Sequence, residues 1–175
     1  MKKLNARHLA VSAMLAAVYT VLSLAVAPIG FGAVQFRISE ALTLLPVFSP
    51  WAIPGVTLGC LLTNLIGVSL GLTFPPDVLF GTLATLIAAA LTWLLRGVRL
   101  RGLPVLAALP PVVCNALIIG WEITVFFTPD SPASFAVFTT NALLVGAGEA
   151  LACFGLGLLL VALLQRSKLD VRLFP

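Results

Sequence analysis

The sequence of 175 residues is 61% hydrophobic and only 9% charged, with a mean hydropathy of +1.15, whereas soluble domains carry about 25% charged residues. These values exclude a soluble protein and indicate an integral membrane protein. The net charge of +4 does not indicate nucleic-acid binding, because orientation in a membrane accounts for the basic residues. The length predicts one membrane-embedded domain, residues 1–175, without a separate soluble module.

Five apolar stretches reach the length of about 20 residues that a hydrocarbon core of about 30 Å requires. The predicted spans are residues 9–26, 51–70, 78–95, 103–125 and 135–164. The first has no small-residue cleavage site and is interpreted as a retained helix. Pro110 and Pro111 are predicted to kink the fourth of these stretches, or to mark where its regular helix begins.

A further apolar stretch, residues 38–48, is shorter, because as an α-helix it would rise only about 16 Å. Residues 28–32 would then dip inward to complete the crossing. Irregular backbone at that depth is tolerated where protein or a cavity covers it, so Arg37 and Glu40 would line a pocket open to the outside. The alternative is a hairpin of two apolar segments that never crosses.

Nine of the ten basic residues fall into three short groups. The groups are Lys2, Lys3 and Arg7; Arg96, Arg99 and Arg101; and Arg166, Lys168 and Arg172. Six crossings place all three groups and both termini on one side of the membrane, which the positive-inside rule predicts to be cytoplasmic. Five crossings would place the termini on opposite sides, so the charge pattern favours six.

The tenth basic residue, Arg37, lies three residues before Glu40 in the run Gln35-Phe36-Arg37-Ile38-Ser39-Glu40. An arginine and a carboxylate in a lipid-soluble chain are costly unless they meet partners or a ligand. A polar ligand is the most economical explanation. The sequence therefore predicts a ligand site around this run.

Five polar residues within the long spans are further candidates for this site. They are Asn64, Asn115, Glu122, Asn141 and Glu149. Asn115 and Glu122 are seven residues apart and project from nearly the same face of a helix. Asn141 and Glu149 are about 80° apart around theirs, and Trp121 offers an aromatic wall. The carboxylates within these segments outnumber the one arginine. This excess of carboxylates suits a ligand with N–H donors or a positive charge.

Ordinary structural interpretations of these residues remain open. Asn64 can join helices by hydrogen bonding, Glu122 can be hydrated at a helix end, and Trp121 can anchor an interface. An enzyme is not favoured: the one histidine, His8, is predicted to be a solvated residue beside the basic N-terminus, and no cluster of metal ligands is found. The three isolated cysteines are predicted to be packing residues without a disulfide. They are Cys60, Cys114 and Cys153.

The run from Ala33 to Leu42, with Leu45-Pro46 after it, resembles the opening signature of the queuosine-precursor transporter (QueT) family. The similarity continues through residues 55–60, Asn64 and residues 77–83. Members of this family are substrate-binding S-components of energy-coupling factor (ECF) transporters. The resemblance implies an all-α membrane protein with six transmembrane helices, the second one short, and with both termini in the cytoplasm.

The resemblance also implies a function and partners. The protein would capture a 7-deazaguanine, either queuine or one of its aminomethyl or cyano precursors, and deliver it to a shared transmembrane coupling subunit with two ATPases. Ala13 and Ala17 on the first helix best fit the docking role. The chain binds no cofactor in this interpretation, and because it has no GxxxxGK[ST] loop, ATP would be used by the partner ATPases.

Roles for individual residues follow from the same resemblance. Glu149 or Glu40 would pair with the guanine-like edge, and Arg37 would donate to the ring carbonyl. A second carboxylate would pair with an aminomethyl ammonium. Supporting and stacking roles would fall to Gln35, Asn115, Asn141, Phe36 or Trp121, and Asp77 would cap the fourth helix. The competing hypotheses are an S-component for another vitamin and a purely structural membrane subunit.

Overall fold

The computed structural model describes residues 5–30, 36–127 and 133–174. Within these ranges every element is helical, apart from an isolated bridge between Leu100 and Leu103. Five helical stretches are long and apolar enough to cross a membrane: Ala6–Ala25, Ala52–Ser69, Pro75–Leu95, Val105–Phe127 and Phe135–Arg166. Each end lies within three residues of its predicted position, so the five long spans are confirmed.

The α-helices are numbered in chain order. They are α1 Ala6–Ala25, α2 Ala27–Gly30, α3 Ala52–Ser69, α4 Pro75–Leu95, α5 Leu109–Glu122, α6 Phe135–Ala150, α7 Leu158–Arg166 and α8 Leu169–Leu173. A 3-10 turn, Val105–Ala108, precedes α5, and π-helical segments follow α5 at Ile123–Phe127 and α6 at Leu151–Gly157. Pro110 and Pro111 lie in the first turn of α5, where missing N–H groups cost least. This confirms that they mark the start of the regular helix.

Helices α1 and α3 pack closely because α3 presents glycines to α1. A Cβ on Gly59 would lie 2.6 Å from the Cβ of Tyr19, and one on Gly55 would lie 2.9 Å from the carbonyl oxygen of Ser12. Small residues permit this close approach between membrane helices. This close contact fixes the position of Tyr19 along the bundle. Helix α4 packs against α3, α5 packs against α4, and α6 packs against α5.

The predicted short helix is confirmed at Ile38–Val47, here called the central helix, but it is a 3-10 helix and not an α-helix. A 3-10 helix of this length rises about 20 Å at about 2.0 Å per residue, so the predicted rise was too small. Residues 39–47 are all buried, and the central helix contacts α1, α3, α4, α7 and the π segment Leu151–Gly157. Pro46 has no N–H for an α-helical hydrogen bond, and packing from all sides determines the remaining geometry.

The described members of the three basic groups meet at one end of the bundle, here called the basic end. Arg101 and Arg166 line the same depression, and the Arg7 guanidinium donates to the carbonyl of Arg172. His8 also lies at this end, but it is buried and stacked on Trp51 with ring centroids 4.8 Å apart. The prediction of a solvated His8 was wrong, because α1 and α3 enclose the imidazole.

Candidate functional site

Arg37 immediately precedes the central helix and is enclosed by the bundle. Its backbone is extended, and its Nε donates to the carbonyl oxygen of Gly30 at 3.2 Å. The guanidinium interacts electrostatically with four carboxyl groups. These belong to Glu40, Asp77, Glu122 and Glu149, four of the six acidic residues of the chain. None of the five side chains exposes more than 6% of its surface.

Glu40 lies in the first turn of the central helix and is the first carboxyl group of this charged cluster along the chain. The hydroxyl of Tyr19 donates a hydrogen bond to Glu40 Oε1, while Glu40 Oε2 is buried without a partner among the described residues. One turn later on α1, the Ser23 hydroxyl donates to Ser39 Oγ at 2.6 Å. These two contacts attach the start of the central helix to α1 and fix the direction of the Glu40 carboxylate.

Glu149 interacts electrostatically with both Glu40 and Arg37. It stands at the end of α6, and the π segment that follows turns Cys153 toward both acids. The Cys153 thiol lies 3.9 Å from Glu149 Oε2 and 3.6 Å from the Glu40 carbonyl oxygen. Wide π turns inside α-helices often occur at functional sites. Here the turn brings α6 and the central helix into contact beside two carboxylates.

Asp77 and Glu122 are the second pair of interacting carboxyl groups in the cluster. The sequence predicted a helix cap, but Phe74 occupies the N-cap position and Asp77 lies in the first turn of α4 without a capping bond. The prediction was wrong because α4 begins at Pro75, two residues before Asp77. The Thr73 hydroxyl donates to Asp77 Oδ2, and the carboxyl groups of Asp77 and Glu122 interact electrostatically.

Glu122 is the least satisfied group in the cluster. It is fully buried, and neither carboxylate oxygen receives a hydrogen bond from an N–H or hydroxyl donor among the described residues. The group beside it is the carboxyl group of Asp77, a second acid. One face of α5 carries both Glu122 and Asn115, as the spacing predicted. Asn115 lies beside Glu149, and its Nδ2 donor also lacks a hydrogen bond of ordinary geometry within the described ranges. Buried groups of this kind cost free energy until a partner arrives.

The other predicted site residues lie outside this cluster or have structural partners. Asn64 donates to the carbonyl oxygen of Asp77 at 2.9 Å, so it joins α3 to the first turn of α4. Asn141 donates to Thr124 Oγ1 at 3.0 Å and joins α6 to the π segment after α5. Trp121 is 44% exposed and packs edge-to-face on Phe80. Their roles in ligand binding remain predictions.

Two candidate residues flank Arg37 in the chain. Phe36 is half-buried beside it, whereas Gln35 lies outside the described residues. The predicted docking residues Ala13 and Ala17 are exposed on α1, on the face opposite the one that packs against α3.

Sequence reasoning missed Tyr19, although a signal was present. It is the one tyrosine of the chain and lies within an apolar span, where a phenolic hydroxyl needs a hydrogen-bond partner. The partnership of Asp77 and Glu122 had no such local signal, because 45 positions separate the two residues in the sequence. Among the described residues, no group of three histidine, cysteine or acidic side chains is placed to hold a metal ion.

Two comparisons with known proteins agree on a family. The family described as QueT transporter matches residues 9–166, which is most of the chain. A curated relative, the queuosine precursor transporter QueT of Lactococcus lactis subsp. cremoris (strain MG1363), is 33% identical over 97 residues. That alignment covers 54% of each protein, so the chain spans about half the length of the relative it matches. No solved structure matches significantly. The match over residues 9–166 shows that this multi-pass membrane protein belongs to the QueT transporter family.

Proposed function

We propose that the protein is the high-affinity membrane subunit that binds a queuosine precursor for uptake. The observation that carries this proposal is the buried cluster, in which four carboxyl groups interact with Arg37 and three carboxylate oxygens receive no hydrogen bond from an N–H or hydroxyl donor among the described residues. Such a cluster is costly in a membrane protein unless it serves a ligand. Membership of a transporter family makes that ligand a transported one.

The chemistry of the cluster suits a 7-deazaguanine. A carboxylate accepts both the ring N–H and the exocyclic amino group of a guanine-type edge as a bidentate pair, a role for Glu40 or Glu149. Arg37 donates to the ring carbonyl, and half-buried Phe36 stacks on the ring, an interaction of about 1–3 kcal/mol. Selection against guanine comes from an apolar surface facing C7, where guanine has a nitrogen that accepts hydrogen bonds.

Energy for transport comes from partners in this proposal. Both termini and the basic end face the cytoplasm of the plasma membrane, in accord with the positive-inside rule, and the central helix completes a sixth crossing. The protein then acts as the S-component of an ECF transporter. Its exposed Ala13 and Ala17 meet the transmembrane coupling subunit, and two partner ATPases use the ATP.

Ligand-dependent thermal stabilisation of the purified protein tests the binding role. The panel contains queuine, its aminomethyl and cyano precursors, guanine, riboflavin, thiamine and biotin. A ligand at a hundred times its dissociation constant adds about 2.7 kcal/mol to the stability of the folded state. We expect a shift with 7-deazaguanines and none with guanine. A shift with riboflavin, thiamine or biotin alone would refute the proposed substrate, and no shift with any compound would refute the binding role.

A separate experiment tests docking. In vesicles that contain the complete transporter, Ala13→Trp and Ala17→Trp should abolish ATP-dependent uptake while leaving ligand affinity unchanged, because both side chains point away from the buried cluster. Ala147→Trp is the matched control, since Ala147 is an exposed alanine on α6. Normal uptake by both α1 variants would contradict docking through this face.

A further inference from the structure

The four buried carboxyl groups form two interacting pairs. Glu40 interacts electrostatically with Glu149, and Asp77 interacts with Glu122. Arg37 interacts with all four. One guanidinium therefore serves two acidic pairs that different helices supply.

The two pairs differ in how well the protein satisfies them. The first pair has donors of its own, because Tyr19 donates to Glu40 and the Cys153 thiol approaches Glu149. In the second pair, Thr73 donates to Asp77, while the fully buried Glu122 has the Asp77 carboxyl group beside it but receives no hydrogen bond from an N–H or hydroxyl donor among the described residues. A hydrogen-bond donor supplied by a ligand would therefore stabilise Glu122 more than the other carboxyl groups of the cluster.

Three aromatic rings join the elements that carry the second pair. Phe80 lies one turn after Asp77 on α4, and its ring meets that of Trp121, the neighbour of Glu122, with centroids 5.4 Å apart. Phe126 packs on the same two rings. These contacts hold the start of α4 against the end of α5, so the proximity of Asp77 and Glu122 has a packing cause.

A guanine edge uses only one of the two acidic pairs. Its ring N–H and exocyclic amino group are satisfied by a single carboxylate, and the ring carbonyl takes a donor from Arg37. The second pair then needs a different ligand group, one with several N–H donors and a positive charge. A primary ammonium has three donors and no acceptor.

We propose that Asp77 and Glu122 form a subsite for an ammonium group at the 7-position of the ligand, so that the protein selects a 7-aminomethyl over a neutral 7-substituted 7-deazaguanine. This inference rests on the proposed function. It adds a specificity-determining pair to the site and names the charge of the substrate. An alkylamine is protonated near neutral pH, as lysine is, and its ammonium supplies both the charge and the donors that this pair lacks.

Three ligands that differ only at the 7-position test the proposal on the wild-type protein. They carry an aminomethyl, a hydroxymethyl or a cyano group, and the hydroxymethyl compound is nearly isosteric with the aminomethyl one but neutral. Isothermal titration in detergent should show the aminomethyl compound binding at least about tenfold tighter than either neutral compound. Equal affinities for all three would overturn the ammonium subsite and leave the proposed function intact. No binding by any of them would overturn both.

Variants then locate the subsite. Glu122→Gln keeps the size of the side chain, and we expect at least a tenfold loss of affinity for the aminomethyl compound with less than a threefold change for the cyano compound. Glu149→Gln is the matched comparison, since it removes one carboxylate from the other pair and should weaken all three ligands alike. If Glu122→Gln weakens all three equally, the assignment is wrong. If Glu122→Gln fails to fold, Asp77→Asn provides the same comparison, and the wild-type selectivity decides between a charged and a neutral subsite.

Discussion

The charged groups at the basic end and those around Arg37 differ in how fully the protein satisfies them. At the basic end, arginines donate to backbone carbonyls: Arg96 donates to the carbonyl of Trp93 at 2.7 Å and lies over its ring, and exposed Arg99 donates to that of Gly102 at 3.3 Å. In the interior, Glu122 has no such partner among the described residues. Charges at the basic end therefore need no ligand to explain them, whereas the interior cluster is the basis of the proposed ligand site.

Removing Arg37 should produce the largest effect and most directly tests this contrast. Arg37→Ala leaves four buried carboxyl groups without their shared cation, and losing one partner of a buried charged network costs about 3–5 kcal/mol. We expect loss of detectable ligand binding and a lower melting temperature of the purified protein. Arg99→Ala at the basic end is the control and should change neither. Wild-type affinity in Arg37→Ala would remove the basis for a ligand site here.

Tyr19→Phe tests the donor that positions Glu40. The change removes only the hydroxyl, and a hydrogen bond to a charged group is worth about 1.5–3 kcal/mol. Ligand affinity should fall by about tenfold to a hundredfold, measured by isothermal titration. Tyr19 is fully buried between α1 and its neighbours, so the ring itself should remain in place. An unchanged affinity would show that Glu40 does not depend on this donor.

Gly59→Ala tests whether the close contact of α1 with α3 supports the site. The added Cβ would lie 2.6 Å from that of Tyr19, so a helix must shift, at a cost of about 1–3 kcal/mol. We expect a lower unfolding temperature together with weaker ligand binding. Gly155→Ala is the matched control, because nothing lies within 4 Å of a Cβ there. Equal stability of the two variants would contradict the packing described here.

Asn141→Ala should have the smallest effect. Its amide bridges to Thr124 Oγ1, and hydrogen bonds between membrane helices contribute about 0.6 kcal/mol on average. A small decrease in thermal stability with unchanged ligand affinity would assign Asn141 to helix packing. A tenfold loss of affinity would instead restore the predicted role in the binding site and extend the cluster toward the π segment Ile123–Phe127.

Much of the fold was predictable from the sequence, because transfer into lipid depends on the local run of apolar residues. The five long spans and the start of α5 at Pro110 and Pro111 follow from such runs. Arg37 and Glu40 were also identifiable, since charges in an apolar chain are rare and costly. His8 was assigned wrongly, because it lies beside the basic N-terminus in the sequence, while its partner in space, Trp51, lies 43 residues later and immediately precedes α3.

The sequence by itself determined which segments enter the membrane and that polar groups lie buried there. Only the tertiary structure decided how these groups are partnered. Glu40 receives a hydrogen bond from Tyr19, Asp77 faces Glu122, and the central helix winds as a 3-10 helix. The physical reason is that hydropathy acts locally along the chain, whereas hydrogen bonds and electrostatic interactions join residues that only helix packing brings together.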